Sequence, residues 1–256
     1  MKTTYLLSLL LACNEPTDEE IETTEDTAAE EEVVEEQETG EIEEPVDNDT
    51  GEIDSITDFL HRGPHEVTEE SKLAQVTNCT NQPYSVYTPA GVANPPVVIL
   101  GHGFSRGADV MTGWADHLAS WGVEVLLPTL CHYNVFAGVD HEMNGQNMKE
   151  LAILHGATNV VYAGHSAGGL AAIIAASQDP SALGVLGLDA TDTKDIPGVP
   201  DLIGQSYASN VSCPAFAIIG EPSTCNAENN GLDLFAMMDT YRAVKVVDAD
   251  HCDFEN

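Results

Sequence analysis

Residues 160–177 read VVYAGHSAGGLAAIIAAS, and this stretch decides the fold. Val160-Val161-Tyr162-Ala163 is a short β-branched and aromatic run that reads as a strand. Gly168–Ser177 reads as a helix of small residues. The turn between them, Gly164-His165-Ser166-Ala167-Gly168, is G-x-S-x-G. The two glycines and Ala167 leave room for a sharp, strained turn that lifts the Ser166 hydroxyl above the sheet. The helix N-terminus beneath it supplies backbone N–H groups and a positive dipole end. Taken alone, the motif could be a glycine-rich turn with an incidental serine; the flanking strand and helix argue for a nucleophile.

Outward from this joint, short apolar runs alternate with helical spacing. Strands are expected at Tyr84–Tyr87, Val97–Leu100, Val123–Leu127, Asn159–Ala163, Val185–Leu188, Ala215–Ile219 and Val244–Val247. Helices are expected at Ala108–Trp121, Met143–His155 and Gly168–Ser177. Prolines punctuate the joints, at Pro89, Pro95-Pro96, Pro128, Pro180, Pro197 and Pro214. Apolar strands alternating with helices predict an α/β fold with a doubly wound, mainly parallel sheet, in one domain spanning residues 61–256.

The stretch 83–252 resembles the α/β-hydrolase superfamily. Val97–Leu100 runs into Gly101-His102-Gly103-Phe104-Ser105, which is similar to that superfamily's HGF-type oxyanion loop. The resemblance implies that the backbone N–H groups of Phe104 and Ala167 hold a developing oxyanion, and that His102 packs under the turn. It also implies the chain order Ser, then Asp or Glu, then His. His251 is the one histidine after Ser166, so it is the expected base. Asp189, in Gly187-Leu188-Asp189-Ala190, resembles the acid of chlorophyllase-like hydrolases and is the first candidate. Glu221 is the runner-up and Asp192 a third choice. Val97–Gly107 and Ala249–Phe254 resemble small lidless esterases: cutinase-like polyester hydrolases, dienelactone-hydrolase-like proteins and chlorophyllases. Plant chlorophyllases carry Arg where this chain has Ala167, which weighs against chlorophyll. The implied activity is serine carboxylic ester hydrolysis through an acyl-enzyme, on a small or polymeric ester and without a cofactor. The alternative is an inactive hydrolase-fold protein retained for binding or assembly. Tyr133, Phe136 and Met143, in the stretch Thr129–Gly145, either line an acyl pocket or pack the core edge.

The chain has 256 residues, with 8 Lys+Arg against 43 Asp+Glu and a net charge of −35. Such a charge repels phosphate backbones, so no nucleic-acid partner is expected. Residues 14–54 hold 20 acids and no base, leaving 23 acids and 7 bases from residue 55 onward. This segment cannot bury enough apolar surface to order itself and reads as an extended, disordered linker over residues 13–60. Asp47-Asn48-Asp49-Thr50-Gly51 loosely resembles a calcium loop, but it lacks ligands at the fifth and twelfth positions, and no metal is expected. Residues 1–12 have a basic start and a short apolar run, read as a signal peptide. Leu10-Leu11-Ala12-Cys13 resembles a bacterial lipobox, which implies lipidation of Cys13 and an exported protein held at a membrane by that anchor alone.

Five cysteines follow Cys13, and some pairing is expected in an exported chain. Cys225 and Cys252 lie after what are expected to be the last two parallel strands, and a Cys225–Cys252 disulfide is the expectation. The superfamily usually continues into a helix beyond its histidine, whereas Asn256 lies only five residues past His251.

Overall fold

The computed structural model of the chain describes residues 59–256 except 135, 137 and 197. The signal peptide, Cys13 and the acidic linker lie outside the described residues, apart from the linker's last positions. Among the described residues no helix is long and apolar enough to cross a membrane.

The chain opens with an antiparallel hairpin, β1 (Val67–Val76) and β2 (Cys79–Pro89), followed by β3 (Val97–Gly101). After α1 (Thr112–Ser120) come β4 (Glu124–Pro128) and a small hairpin of β5 (Tyr133–Asn134) and β6 (Gly138–Val139). Helix α2 (His141–His155), β7 (Val160–His165), α3 (Ala167–Gln178) and β8 (Gly184–Leu188) follow. Then come α4 (Gln205–Ala208), β9 (Ala215–Ile219), α5 (Gly231–Ala236) and β10 (Tyr241–Lys245). Among the described residues the main sheet has eight strands in the order β1-β2-β4-β3-β7-β8-β9-β10, parallel from β4 onward.

The continuous apolar strands have a simple cause. Along β3, Ile99 packs with α2 and α3 on one face, while Val98 and Leu100 pack with α1 and Phe254 on the other. A strand covered on both faces buries every side chain and loses the alternation of a half-exposed one. Strand β7, carrying Tyr162 and Ala163, lies in the middle of the order and points its C-terminal end at Ser166.

Two strands differ from expectation. Strand β1 reads VTEESKLAQV and is absent from the sequence-level strands, because as an outer strand only Ala74 and Val76 are buried along it. Strand β10 starts three residues earlier than its apolar run, its register being set by β9, with Tyr241 opposite Ala215. All five of its residues are exposed, so burial writes no pattern into them.

The Cys225–Cys252 pairing is corrected: Cys252 carries a thiol, while Cys79 is joined to Cys131, with Cα atoms 6.1 Å apart. The loop after β9 packs Gly231 onto Ala190, on the α2–α3 side, whereas the turn holding Cys252 sits with Phe254 on the α1 side. After β9 the chain returns to β10 over the α2–α3 face, through Leu234 and Phe235, whereas after β10 it turns to the α1 face with Phe254. Cys79–Cys131 instead ties the β1–β2 hairpin to the segment leading into β5.

Candidate active site

Ser166 caps α3 with φ 56° and ψ −123°, a left-handed conformation that non-glycine residues adopt at a cost of order 1–3 kcal/mol. Crowding enforces it: a Cβ on Gly164 would strike the Gly168 backbone, and one on Gly168 would strike Gly101. The Ser166 amide donates to the Leu188 carbonyl at 3.0 Å, fixing the turn to β8.

Three side chains converge here. His251 Nε2 lies 2.9 Å from Ser166 Oγ, and His251 Nδ1 lies 2.6 Å from Asp189 Oδ2. Asp189 follows β8 and is 1% exposed, a burial that demands partners for its charge. It accepts from the Gly220 amide at 3.0 Å and from Asn226 Nδ2 at 3.0 Å, besides His251. Burial pushes its carboxyl up, but these three donors outweigh it and hold it below the usual carboxylate range. A carboxylate acceptor requires the proton on His251 Nδ1, which leaves Nε2 to accept from the Ser166 hydroxyl.

The loop after β3 closes the other side. His102 Nδ1 donates to the Gly103 carbonyl at 2.9 Å, and its Nε2 accepts from the Leu130 amide at 2.9 Å. Burial lowers His102 to about 4, so it remains neutral and structural near pH 7. The Arg106 amide returns to the Gly103 carbonyl at 3.2 Å, and the Ser105 amide donates to the Tyr133 carbonyl at 2.7 Å. Phe104 therefore sits at the head of a tight turn beside Ser166: a Cβ on Gly103 would lie 3.3 Å from the Ser166 Cβ. Ala167 is the first residue of α3, where backbone N–H groups have no intrahelical acceptor.

The other candidate acids lie elsewhere. Glu221 is exposed and pairs with Lys245 at 2.5 Å. Asp192 is 2% exposed, but its Oδ1 accepts from the Thr193 and Gly204 amides, pinning the loop that follows β8. In the hairpin, Tyr133 meets His102 edge-on at 5.4 Å, while Phe136 at the tip is 96% exposed. Met143 is half-buried, near Asn78. Among the described residues no cluster of three His, Cys, Asp or Glu side chains is placed to hold a metal ion.

Three features escape the sequence reading. Asn226 is fully buried and donates to both Asp189 and the Glu221 carbonyl. Its signal is the run of asparagines at 226, 229 and 230; Asn230 likewise reaches the loop after β8, accepting from the Asp192 amide and donating to the Asp192 carbonyl. His165 stacks on His251 with ring centroids 4.6 Å apart. Arg106 and Glu255 form an ion pair at 2.8 Å across 149 residues, a contact that no local pattern announces.

Among solved structures, that of a protein from Klebsiella pneumoniae described as dienelactone hydrolase-like superposes with a TM-score of 0.60, over 74% of this chain and 90% of that one. The chain has the α/β-hydrolase fold. Sequence identity to that neighbour is 16%, so the likeness speaks for the fold alone. No family model matches the chain, and no curated protein sequence matches it either. As an α/β-hydrolase fold, it places Ser166, Asp189 and His251 on the loops after β7, β8 and β10, all at the C-terminal edge of the parallel sheet, where such folds gather their functional side chains.

Proposed function

We propose that this chain is a serine hydrolase that cleaves carboxylic esters through an acyl-enzyme, and that lipidated Cys13 holds it at a bacterial membrane. The observation that carries the activity is the unbroken line from Ser166 Oγ through the His251 ring to Asp189, with links of 2.9 and 2.6 Å. Serine is a weak nucleophile at neutral pH. His251 Nε2 takes its proton as Oγ attacks the ester carbonyl, and Asp189 stabilises the resulting imidazolium. The charge that develops on the carbonyl oxygen meets the N–H groups of Phe104 and Ala167, each worth about 3 kcal/mol in the transition state. His251 then returns the proton to the leaving alkoxide. A water molecule, activated by the same imidazole, hydrolyses the acyl-enzyme and regenerates the Ser166 hydroxyl.

The test uses a short nitrophenyl ester and a serine-directed phosphonate on the exported protein. We expect turnover that the phosphonate abolishes, with the label on Ser166, and loss of both in Ser166→Ala. The variant removes one oxygen from a site 7% exposed, so its melting temperature should stay close to that of the wild type. A well-folded wild type with neither turnover nor labelling would refute the esterase and favour a binding role on the same fold.

A further inference from the structure

We propose that Arg106, His165 and Glu255 act as positioning residues that lock the His251 turn to the oxyanion loop, so that base and oxyanion donors share one frame. The proposal rests on the serine-hydrolase reading of the site. His251 opens a short 3-10 turn, His251–Phe254, closed by a reciprocal pair between Asp250 and Asp253. A turn of four residues has little rigidity of its own and needs outside anchors. Glu255 supplies one: its Oε1 accepts from Arg106 Nε at 2.8 Å, with the two side chains 21% and 14% exposed. Arg106 Nη2 also reaches Cys252 Sγ at 3.6 Å. Burial pushes the Cys252 thiol up, which keeps it a neutral acceptor there. One guanidinium thus holds the His251 turn at Cys252 and just beyond it at Glu255, while its own backbone closes the loop that carries Phe104.

His165 completes the arrangement from below. Its Nε2 lies 2.9 Å from the His251 carbonyl, which can only accept, so the proton sits on Nε2. Burial lowers His165 to about 3, so it is a neutral donor under ordinary conditions. Its ring is wedged between Gly103 and His251: a Cβ on Gly103 would lie 3.1 Å from His165 Nδ1. The remainder of the segment is sewn to the same region. Trp114 Nε1 donates to the Phe254 carbonyl at 3.0 Å, and the Asn256 side chain takes the Gly113 amide and gives to the Asp109 carbonyl, each at 2.5 Å. The contacts of these groups run to the His251 turn and to the loop and helix that follow β3. Their effect reaches the chemistry only through the placement of His251 and Phe104.

The experiment compares wild type with Arg106→Gln, Glu255→Gln, the double variant and Arg106→Lys. It reads kcat and KM on a nitrophenyl ester, together with the downfield proton resonance of the His251 Nδ1–H bonded to Asp189. We expect kcat to fall about 10- to 100-fold in either single variant, with KM changed less than about threefold, because a misplaced group costs rate more than ground-state binding. The double variant should lose no more than the worse single, and Arg106→Lys should recover part of the rate. The downfield resonance should broaden or disappear in the glutamine variants. Glu255→Gln keeps the side-chain shape and carries the same test should Arg106→Gln not fold. Wild-type kcat in folded single variants, or an unchanged resonance, would overturn the proposal. If the wild type hydrolyses no ester, the hydrolase reading fails, and the resonance alone still decides whether the lock holds His251.

Discussion

Asp189 and Glu221 are both carboxylates following neighbouring strands, and their surroundings separate them. Asp189 is buried with three donors, whereas Glu221 faces solvent beside Lys245. Asp189→Asn should lower kcat by about 10⁴-fold, because an amide leaves His251 in the wrong tautomer. Glu221→Gln should remain within about threefold of wild type, an exposed pair of this kind being worth little. Steady-state kinetics of the two variants check the assignment, and a reversed ranking would move the acid to the loop after β9. In the sequence, the chlorophyllase-like resemblance puts Asp189 first but leaves Glu221 in play, because both positions follow a strand end. It passes over Asn226, whose role is a matter of burial and of what lies within 3 Å, and neither is written in a loop of polar residues.

Among the elements, the β7–α3 joint is the most legible and the least tolerant. Its glycines are required by contact as well as by conformation, because α3 packs directly onto the strand ends of β3 and β7. Gly168→Ala should cost more than about 3 kcal/mol, since the added methyl meets backbone rather than a side chain that could move aside. Urea denaturation would measure this, and a midpoint near wild type would show that α3 can shift. The three expected helices lie close to their expected places, whereas the short α4 and α5 are not among them, four and six residues being too few to show a helical period. Helix α2 is capped by Asp140, whose side chain accepts from the Met143 amide at 2.9 Å, and ends at Gly156 with φ 78°. The edge strands β1 and β10 give little signal, and the small β5–β6 hairpin gives none, because two residues per strand carry no period. Cys79–Cys131 was equally unreadable. Five cysteines allow many pairings, and the decisive fact is that the antiparallel pairing of β2 with β4 brings the start of one strand beside the end of the other.

At the scale of the whole molecule, burial of histidines sets an acid limit. His102 and His141 are lowered to about 4 and His165 to about 3, in each case mainly by burial. An unfolded chain protonates histidine below about pH 6.5, so between that value and about 4 the unfolded state binds more protons than the folded one. Stability should therefore fall with acidification through this window, by up to about 4 kcal/mol per pH unit for three groups. Urea midpoints at about pH 7 and about pH 5 check the sign; equal midpoints would mean that these histidines do not stay neutral in the folded state. The same chain offers a test of its attachment. Cys13→Ala should appear in the soluble fraction with unchanged activity per molecule, because Ser166, Asp189 and His251 all lie in the domain beyond residue 60. Persistence in the membrane fraction would refute the lipid anchor.

The stitching of residues 251–256 onto residues 104–114 also has a consequence in time. Its contacts join positions 140 to 149 residues apart, among the longest closures in the domain. Loops of that length pay their closure entropy before any contact rewards it, so they form late relative to local helices and hairpins. The two halves of the chemistry, one near residue 104 and one near 251, therefore meet only when the sheet between them is complete. A chain still short of its last strand carries the serine but no competent base. Catalysis is withheld until folding has finished, and regained activity becomes a clock for the last contacts rather than the first.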